Sequence, residues 1–182
     1  MEIIKTEIDG LLIIKPKVFG DMRGYFFNSY NEKEFREAVG DIRFVQDNES
    51  KSHKGVIRGL HFQLPPHAQA KLITCVHGRV LDVAVDLRKG SPTYGKYATA
   101  ELSQENHLQF FIPRGFAHGF VALEPDSVIQ YKCDNYYAPG MEGGISAFDP
   151  DLDIDWKIDL SKAILSEKDQ NHPLFKDFIS PF

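Results

Sequence analysis

The sequence has only two cysteines, Cys75 and Cys133, which lie in separate apolar runs without CxxC spacing. A disulfide framework or a cysteine-based metal site is therefore not expected, and both thiols are predicted to be reduced core residues. The chain also lacks any apolar run near the ~18 residues that a membrane-spanning helix requires. Its first residues carry Glu2 and Lys5 and include no small-residue cleavage site, so we expect no signal peptide and a cytoplasmic location.

Positive charge is scarce as well. The chain has 21 Lys and Arg against 26 Asp and Glu, which gives a formal net charge of −5, and it contains no block of basic residues. Extended nucleic acid is therefore not an expected partner, although a few converging arginines can still bind a small anion. A length of 182 residues, of which 42% are hydrophobic, predicts a single domain over residues 1–182 with a substantial core.

Helix-forming sequence is limited to two short patches, residues 31–39 and 160–169, with Asn31 and Ser161 as candidate N-caps. The remainder consists of short runs rich in β-branched and aromatic residues, separated by Gly, Pro, Asn and Asp. This pattern predicts an all-β jelly roll or a related sandwich. We expect the segment after Trp156 to pack back onto it, because the apolar side chains of that segment, Ile164, Leu165 and Phe175, need cover.

The N-terminal run EIIKTEIDGLLIIKPKVF is apolar along much of its length and reads as a strand. An apolar strand makes a poor solvent-exposed edge, and pairing with a second subunit would cover it. The sequence therefore predicts a homodimer.

Polar side chains are concentrated in the strand-like segment GVIRGLHFQLPPHAQAKL. Because a core strand has little use for Arg58, His61 and Lys71, these residues indicate a cleft. Simple alternation places Arg58 and His61 on opposite faces, so both can line one cleft only if Gly59 permits a bulge or bend.

The spacing P-x-G-x-x-H at Pro113–His118 resembles the second motif of the cupin superfamily. Metal-binding cupins carry an H-x-H pair in the first motif, and the matching place here is His61-Phe62-Gln63. Since one imidazole and a carboxylate are missing, no metal ion is expected. A metal-dependent cupin oxygenase stays an alternative. Stoichiometric iron or manganese in the purified protein, together with loss of activity when a chelator is added, would indicate it.

Eight segments, in this order and spacing, resemble one cupin family over nearly the whole chain: DMRGYF, FVQDNESKS, GVIRGLHFQ, QAKL, VLDVAVDLRKGSPTYG, IPRGFAHGF, QYKCDNYYAP and LSEKD. That family is dTDP-4-dehydrorhamnose 3,5-epimerase. The resemblance implies a cupin jelly roll that inverts C3 and C5 of dTDP-4-dehydro-6-deoxy-D-glucose without a cofactor, in dTDP-L-rhamnose biosynthesis. Two alternatives stay open: an epimerase of a related dTDP-4-keto-6-deoxyhexose that inverts only C3 or only C5, and a cupin that binds a nucleotide sugar without turnover.

The resemblance also implies the catalytic roles. His61 would be the base, oriented by Asp169, and Tyr131 the acid on the far face of the sugar. Lys71 would stabilise the enolate oxygen, with Asp82 holding the lysine in place. Without the resemblance, a lone strand histidine or a buried tyrosine is at least as often a structural residue.

The nine substrate contacts implied by the resemblance are Arg23, Phe26, Asn28, Gln46, Asn48, Arg58, His118, Tyr136 and Glu142. Arg23 and Arg58 match diphosphate and sugar contacts, because a guanidinium pairs bidentately with phosphate oxygens. Arg23 is further implied to serve the neighbouring subunit's cleft. Asn28 stands where the family commonly has Glu, which changes a contact to the thymidine.

Overall fold

The computed structural model describes residues 1–182 and consists of thirteen β-strands and two short α-helices. The strands are β1 (Glu2–Lys5), β2 (Leu12–Lys15), β3 (Phe19–Asp21), β4 (Gly24–Phe26), β5 (Gln46–Ser52), β6 (Ile57–Gln63), β7 (Lys71–His77), β8 (Arg79–Asp86), β9 (Tyr97–Ser103), β10 (Gln109–Ile112), β11 (Phe116–Ala122), β12 (Ser127–Cys133) and β13 (Glu142–Gly144). The helices are α1 (Glu32–Ala38) and α2 (Glu167–Gln170), and short 3-10 turns cover Leu160–Lys162 and Phe175–Asp177. Neither α-helix has the length and apolarity needed to traverse a bilayer.

Two antiparallel sheets carry the fold. One has six strands in the order β1-β2-β10-β7-β12-β5, and the other has five in the order β13-β6-β11-β8-β9. Strands β3 and β4 form a separate two-stranded ribbon. The non-sequential strand order in both sheets is that of a jelly roll, so the predicted fold class is confirmed.

The sheets face each other across a core that strand alternation makes apolar. Ile73 and Phe110 of the six-stranded sheet pack in one cluster with Val80 and Ala84 of β8. Asp82 lies between Val80 and Ala84 with the same period-two orientation, and its side chain is fully buried. The sequence left open whether this aspartate faces a polar interior or solvent, and the structure places it inside. Both cysteines are free and buried, as predicted.

The first predicted helix is confirmed, because the Asn31 side chain accepts a hydrogen bond from the Glu34 amide at the start of α1. The second prediction was wrong in its cap. Asp159 caps the 3-10 turn at Leu160–Lys162, and α2 begins only after Ser166, whose hydroxyl accepts from the Asp169 amide.

A competing set of backbone hydrogen bonds explains this interruption. The Ile164 amide donates to the Gly55 carbonyl, and the Ile57 amide donates to the Ile164 carbonyl. These bonds hold the chain extended beside the start of β6 and prevent a continuous helix. The predicted cover is confirmed for Leu165 and Phe175, which pack against the core. It was wrong for Ile164, which is 54% exposed.

The N-terminal run forms a hairpin and then the start of the β3–β4 ribbon, so the prediction of one strand was wrong. Strand β2 pairs with β10, whereas β1 pairs only with β2 and is the edge of the six-stranded sheet. The turn between them is closed by the Thr6 hydroxyl, which lies 3.0 Å from the Ile8 carbonyl and 3.1 Å from that of Leu11. The hairpin exposes an edge of the kind that the sequence predicted.

Candidate active site

A cleft of about 530 Å³ is lined by strands of both sheets and by the C-terminal segment around α2. Strand β6 of the five-stranded sheet contributes to one wall, and β7 and β12 of the six-stranded sheet contribute to another. The charged and polar side chains that line the cleft are Ser50, Arg58, His61, Lys71, His118, Tyr131, Ser166, Lys168 and Asp169.

A bulge in β6 brings two of these side chains to the same cleft. Gly59 and Leu60 together occupy the space opposite Gly119 of β11, so the register shifts between the pairs on either side. Gly59 has a φ of +120°, and a Cβ on it would lie 2.6 Å from the Gly119 Cα. Only glycine fits this position. The predicted bulge is confirmed, and both Arg58 and His61 line the cleft.

His61 is hydrogen-bonded to Asp169, with 2.6 Å between Nε2 and Oδ1. The imidazole is 40% exposed and the carboxylate only 5%, so the ring reaches the cleft while its partner is covered. The Ser166 hydroxyl accepts a hydrogen bond from the Asp169 amide at 3.1 Å, and this cap fixes the backbone of Asp169. Burial alone would raise the pKa of Asp169, but the hydrogen bond and charge of His61 outweigh it and hold the pKa below its usual value. The carboxylate is therefore ionised and orients the imidazole.

His118 has a different carboxylate partner. Its Nε2 lies 2.9 Å from Oδ1 and 3.1 Å from Oδ2 of Asp82. Burial raises the pKa of Asp82, although the charges of His118 and Lys71 oppose this shift. Burial also lowers the pKa of His118. Lys71 and Asp82 also interact through their charges, each shifting the pKa of the other toward its charged form. The role of Asp82 in holding Lys71 stays a prediction.

Lys71 of β7 and Tyr131 of β12 are neighbours on the wall formed by the six-stranded sheet. The Lys71 Nζ lies 6.0 Å from the centre of the Tyr131 ring. Burial lowers the pKa of Lys71, while Cys133 and Asp82 act in the opposite direction. Burial raises the pKa of Tyr131, which keeps its phenol protonated. The wall therefore offers the amine of Lys71 beside a proton donor.

Two further cations lie at the cleft. The Arg58 guanidinium donates to the Ser52 hydroxyl at 3.0 Å and to the Lys51 carbonyl at 3.1 Å, which fixes its position. Lys168 lies 2.6 Å from Glu142 and, through that hydrogen bond, lowers the pKa of the glutamate. Sequence analysis missed Lys168, although it lies within the LSEKD segment beside Asp169.

The sequence model of the dTDP-4-dehydrorhamnose 3,5-epimerase family matches residues 5–177. The chain belongs to this family. A curated dTDP-4-dehydrorhamnose 3,5-epimerase from Shigella flexneri is 53% identical over 178 residues, and the match covers 97% of each chain.

Solved structures give the same result. The crystal structure of dTDP-4-dehydrorhamnose 3,5-epimerase from Elizabethkingia anophelis has a TM-score of 0.94 and 58% identity, and the match covers 97% of both chains. The dTDP-6-deoxy-D-glucose-3,5-epimerase of Legionella pneumophila, solved in complex with dTDP-4-keto-L-rhamnose, has a TM-score of 0.94 and 47% identity, covering 98% of this chain and 94% of the other. The predicted family and its cupin jelly roll are confirmed.

The residues of this 3,5-epimerase chain at the metal-ligand positions of cupins do not fit a shared ion. Gln63 matches the second residue of the H-x-H pair, but its amide nitrogen lies 2.7 Å from the His67 carbonyl. Its amide oxygen accepts from the Ala138 amide at 2.8 Å. The side chain thus tethers loops and does not join His61. His67 itself lies on a loop.

Three predicted substrate contacts lie outside the cleft that contains His61. Arg23 and Phe26 lie on the β3–β4 ribbon, where they are 86% and 67% exposed, and Arg23 pairs with Asp21. Asn28 lines a separate pocket of about 370 Å³ beside Tyr30. None of the three lines the cleft that contains His61.

Four other predicted contacts do not line the cleft either: Gln46, Asn48, Tyr136 and Glu142. Gln46 donates to Asn48 at 2.9 Å, and Asn48 pairs in register with Tyr131 on the neighbouring strand. Asn48 and Tyr131 also border a separate groove of about 300 Å³. Tyr136 is 65% exposed on the loop after β12.

Sequence analysis also missed His172. Its Nε2 lies 3.5 Å from Oδ1 of Asp169, the carboxylate that binds His61. The spacing of three residues between Asp169 and His172 was the only available signal, and it was weak because α2 ends at Gln170, before His172.

Proposed function

We propose that this chain epimerises C3 and C5 of dTDP-4-dehydro-6-deoxy-D-glucose to give dTDP-4-dehydro-L-rhamnose, a step of dTDP-L-rhamnose biosynthesis. Membership of the 3,5-epimerase family supports the reaction. The observation that carries the catalytic assignment is the placement of His61, bonded at 2.6 Å to Asp169, in the same cleft as Tyr131 on the facing sheet. A base and an acid on different walls of one cleft suit proton removal from one face of a carbon and return to the other.

The first step is removal of a carbon-bound proton. C3 and C5 both flank the C4 ketone, which makes their protons acidic. His61 Nε2 donates its proton to the ionised Asp169, so the lone pair of the neutral imidazole is on Nδ1. Nδ1 takes the proton from carbon, and the electron pair moves onto the C4 oxygen as an enolate. The nearby carboxylate stabilises the imidazolium that forms.

The enolate then needs a positive charge and a new proton. The ammonium of Lys71 stabilises the developing oxyanion, and the half-buried cleft strengthens this interaction. The phenol of Tyr131 protonates the carbon from the opposite face and the C4 ketone re-forms. Solvent then returns a proton to the phenolate and takes one from the His61 imidazolium, so both groups are reset. Inversion at the second carbon repeats the same sequence of steps.

The nucleotide diphosphate requires fixed cations. The guanidinium of Arg58 is held by the hydrogen bonds of Ser52 and the Lys51 carbonyl, so it is pre-organised to bind an anion. Lys168 adds a second positive charge at the rim. These local cations act against the net charge of −5 of the whole chain. Gln46, Asn48, His118, Tyr136 and Glu142 complete the proposed sugar and nucleoside contacts.

Residues 1–182 form one domain in this proposal, and two copies form the working enzyme. The β3–β4 ribbon exposes Phe19, Met22, Tyr25 and Phe26, which are 55%, 100%, 62% and 67% accessible. A contiguous apolar patch of this kind suits a protein interface. Docking of the ribbon on a second subunit would place Arg23 at the neighbour's cleft, where it would bind the substrate diphosphate.

Incubation of the purified protein with dTDP-4-dehydro-6-deoxy-D-glucose tests the reaction. Reduction of the product and analysis of the sugar should show inversion at both C3 and C5. Inversion at one carbon alone would replace the proposal by the single-site epimerase. Tight binding without any product would replace it by a nucleotide-sugar-binding module.

A further inference from the structure

His172 is a buried imidazole beside the proposed catalytic pair. Its side chain is only 10% exposed, and its Nε2 lies 3.5 Å from the Oδ1 of Asp169. This nitrogen is the single buried side-chain polar atom without a hydrogen-bond partner. The rings of His61 and His172 meet edge to face at a centroid distance of 5.5 Å. Two imidazoles therefore converge on one carboxylate.

The backbone is shaped to hold this ring. Gly144 of β13 lies opposite His61 in the strand register. A Cβ on Gly144 would overlap the ring of His172, so a glycine is required for the imidazole to lie where it does. An unpaired buried nitrogen costs free energy, and such a group in a native structure calls for a function.

We infer that His61, Asp169 and His172 form a binding site for a divalent transition-metal ion of the Zn²⁺ type. Two imidazoles and one carboxylate are a common ligand set for Zn²⁺, with a fourth position left for water or another ligand. The donor atoms of the three residues all lie within 4.8 Å of one another. This set shares only His61 with the cupin metal-ligand positions.

The distances agree with tetrahedral coordination after a small movement. Ligands at about 2.0–2.1 Å from a tetrahedral Zn²⁺ are separated by ~3.3 Å. The 3.5 Å between Asp169 and His172 already fits this value. The 2.6 Å between His61 and Asp169 has to widen, and His61 has room to shift because its side chain is 40% exposed.

The consequence for catalysis depends on the proposed function. An ion between His61 and Asp169 replaces the proton that these residues share. Because the metal then occupies Nε2, the remaining proton of the neutral imidazole has to be on Nδ1, the nitrogen that takes the substrate proton. Zn²⁺ therefore inhibits epimerisation by blocking the base.

Direct metal binding tests the site without reference to activity. The substrate-free protein is titrated with Co²⁺, a spectroscopic substitute for Zn²⁺, and its visible absorption should show one equivalent bound and displaced by Zn²⁺. His172→Phe, which keeps a ring of similar shape, should weaken binding by about tenfold or more. Asp169→Asn should weaken it as well. The matched control is His53→Phe, since His53 lies 3.8 Å from Asp126 but is 84% exposed, and this variant should bind like the wild type.

Absence of stoichiometric Co²⁺ binding, or equal binding by the wild type and His172→Phe, would overturn the site. If His172→Phe does not fold, as judged by circular dichroism, His172→Gln replaces it with the same expected loss. The activity measurement is separate. Zn²⁺ should inhibit the wild type and a chelator should reverse this, whereas the His172 variant should need about tenfold more Zn²⁺ for the same fractional inhibition.

Fractional inhibition compares each protein with itself, so any change in its basal turnover cancels. If Co²⁺ binds but Zn²⁺ does not inhibit, the metal site exists and the inference that the metal blocks His61 is wrong. A protein that binds Co²⁺ but has no epimerase activity under any condition would contradict the proposed function and leave the metal site supported.

Discussion

His61 and His118 lie directly opposite each other on neighbouring strands, yet each is hydrogen-bonded to a different carboxylate. His118 has its Nε2 against Asp82, and its side chain is 8% exposed. His61 is 40% exposed and binds a carboxylate that comes from the C-terminal segment. Of the two imidazoles in this cleft, His61 is therefore the more accessible, which agrees with its proposed role as the base.

Replacement of the base gives the most direct prediction. In deuterated water, the wild-type enzyme should place deuterium at C3 and C5 of the product, because the enolate is reprotonated from groups that exchange with solvent. His61→Asn should lower incorporation by roughly 10²–10⁴-fold, the usual contribution of general base catalysis. Mass spectrometry of the recovered sugar measures this.

His67→Asn is the control for that experiment. His67 lies on a loop and interacts with Gln63 through its backbone carbonyl, so loss of its imidazole should leave incorporation nearly intact. Undiminished deuterium uptake by the His61 variant would mean that the base is another residue.

Tyr131→Phe should separate chemistry from folding. The variant keeps the ring beside Lys71 and loses only the phenol proton, so we expect turnover to fall by about 10²-fold or more while substrate affinity changes little. Its thermal unfolding temperature should stay close to that of the wild type. Wild-type turnover in this variant would make Tyr131 a packing residue.

Ser166→Ala tests how Asp169 is positioned. The Ser166 hydroxyl accepts from the Asp169 amide at 3.1 Å, and loss of an N-cap costs about 1 kcal/mol. Because α2 has only four residues, the loss should loosen Asp169 and lower kcat more than it raises KM. Ser166→Thr should restore most of the activity, whereas Ser161→Ala should have little effect. A Ser166→Ala enzyme with full activity would show that the cap is not needed for the pair.

Asp86 predicts a pH dependence of stability. Burial acts to raise its pKa, but hydrogen bonds from Arg88, Ser91 and Thr93 prevail and lower the pKa from 3.8 to about 2. A lowered carboxyl pKa stabilises the fold above the unfolded-state pKa, and this contribution disappears as the pH falls from about 4 to 2. Its size is about 2 kcal/mol.

Urea denaturation of Asp86→Asn should therefore show a large loss of stability at pH 6 and a smaller one at pH 3. Asp41→Asn, at a side chain that is 78% exposed, is the control and should change little at either pH. An Asp86→Asn deficit that is equal at both pH values would contradict the role of ionisation.

A mixing experiment tests whether Arg23 serves the neighbouring subunit. Arg23→Ala and His61→Asn should each be inactive as pure dimers. Random exchange of subunits would restore about a quarter of the sites, because half of the dimers are mixed and each mixed dimer has one complete site. If Arg23 acted in its own subunit, no mixture would regain activity. Sedimentation showing only fully active monomer would remove the proposal entirely.

Strand patterns predicted more of this site than local helix signals did. Alternation showed that Arg58 and His61 needed a bulge at Gly59, because side-chain direction in a strand follows from geometry alone. The helix prediction at Ser161 was wrong, because backbone hydrogen bonds to Gly55 and Ile57 hold the following segment extended. No local sequence pattern reveals these bonds.

Partners far apart in the chain were the other limit. The resemblance to the family predicted that Asp169 orients His61. Composition and spacing alone predicted that Asp169 is a solvated charge at a helix end. His118 as the partner of Asp82 was not predicted, because two strands distant in sequence have to pair in one particular register before the residues meet. His172 had only its spacing from Asp169 as a signal.

The pair formed by His61 and Asp169 joins positions that are 108 residues apart in the chain. Contacts of such long sequence separation form slowly, because a long loop has to close before they are gained. A folding intermediate can therefore contain locally paired strands while His61, the proposed base, still lacks its orienting partner. Recovery of catalysis during refolding should trail the recovery of β-sheet signal, so enzyme activity would report the final docking of the C-terminal segment.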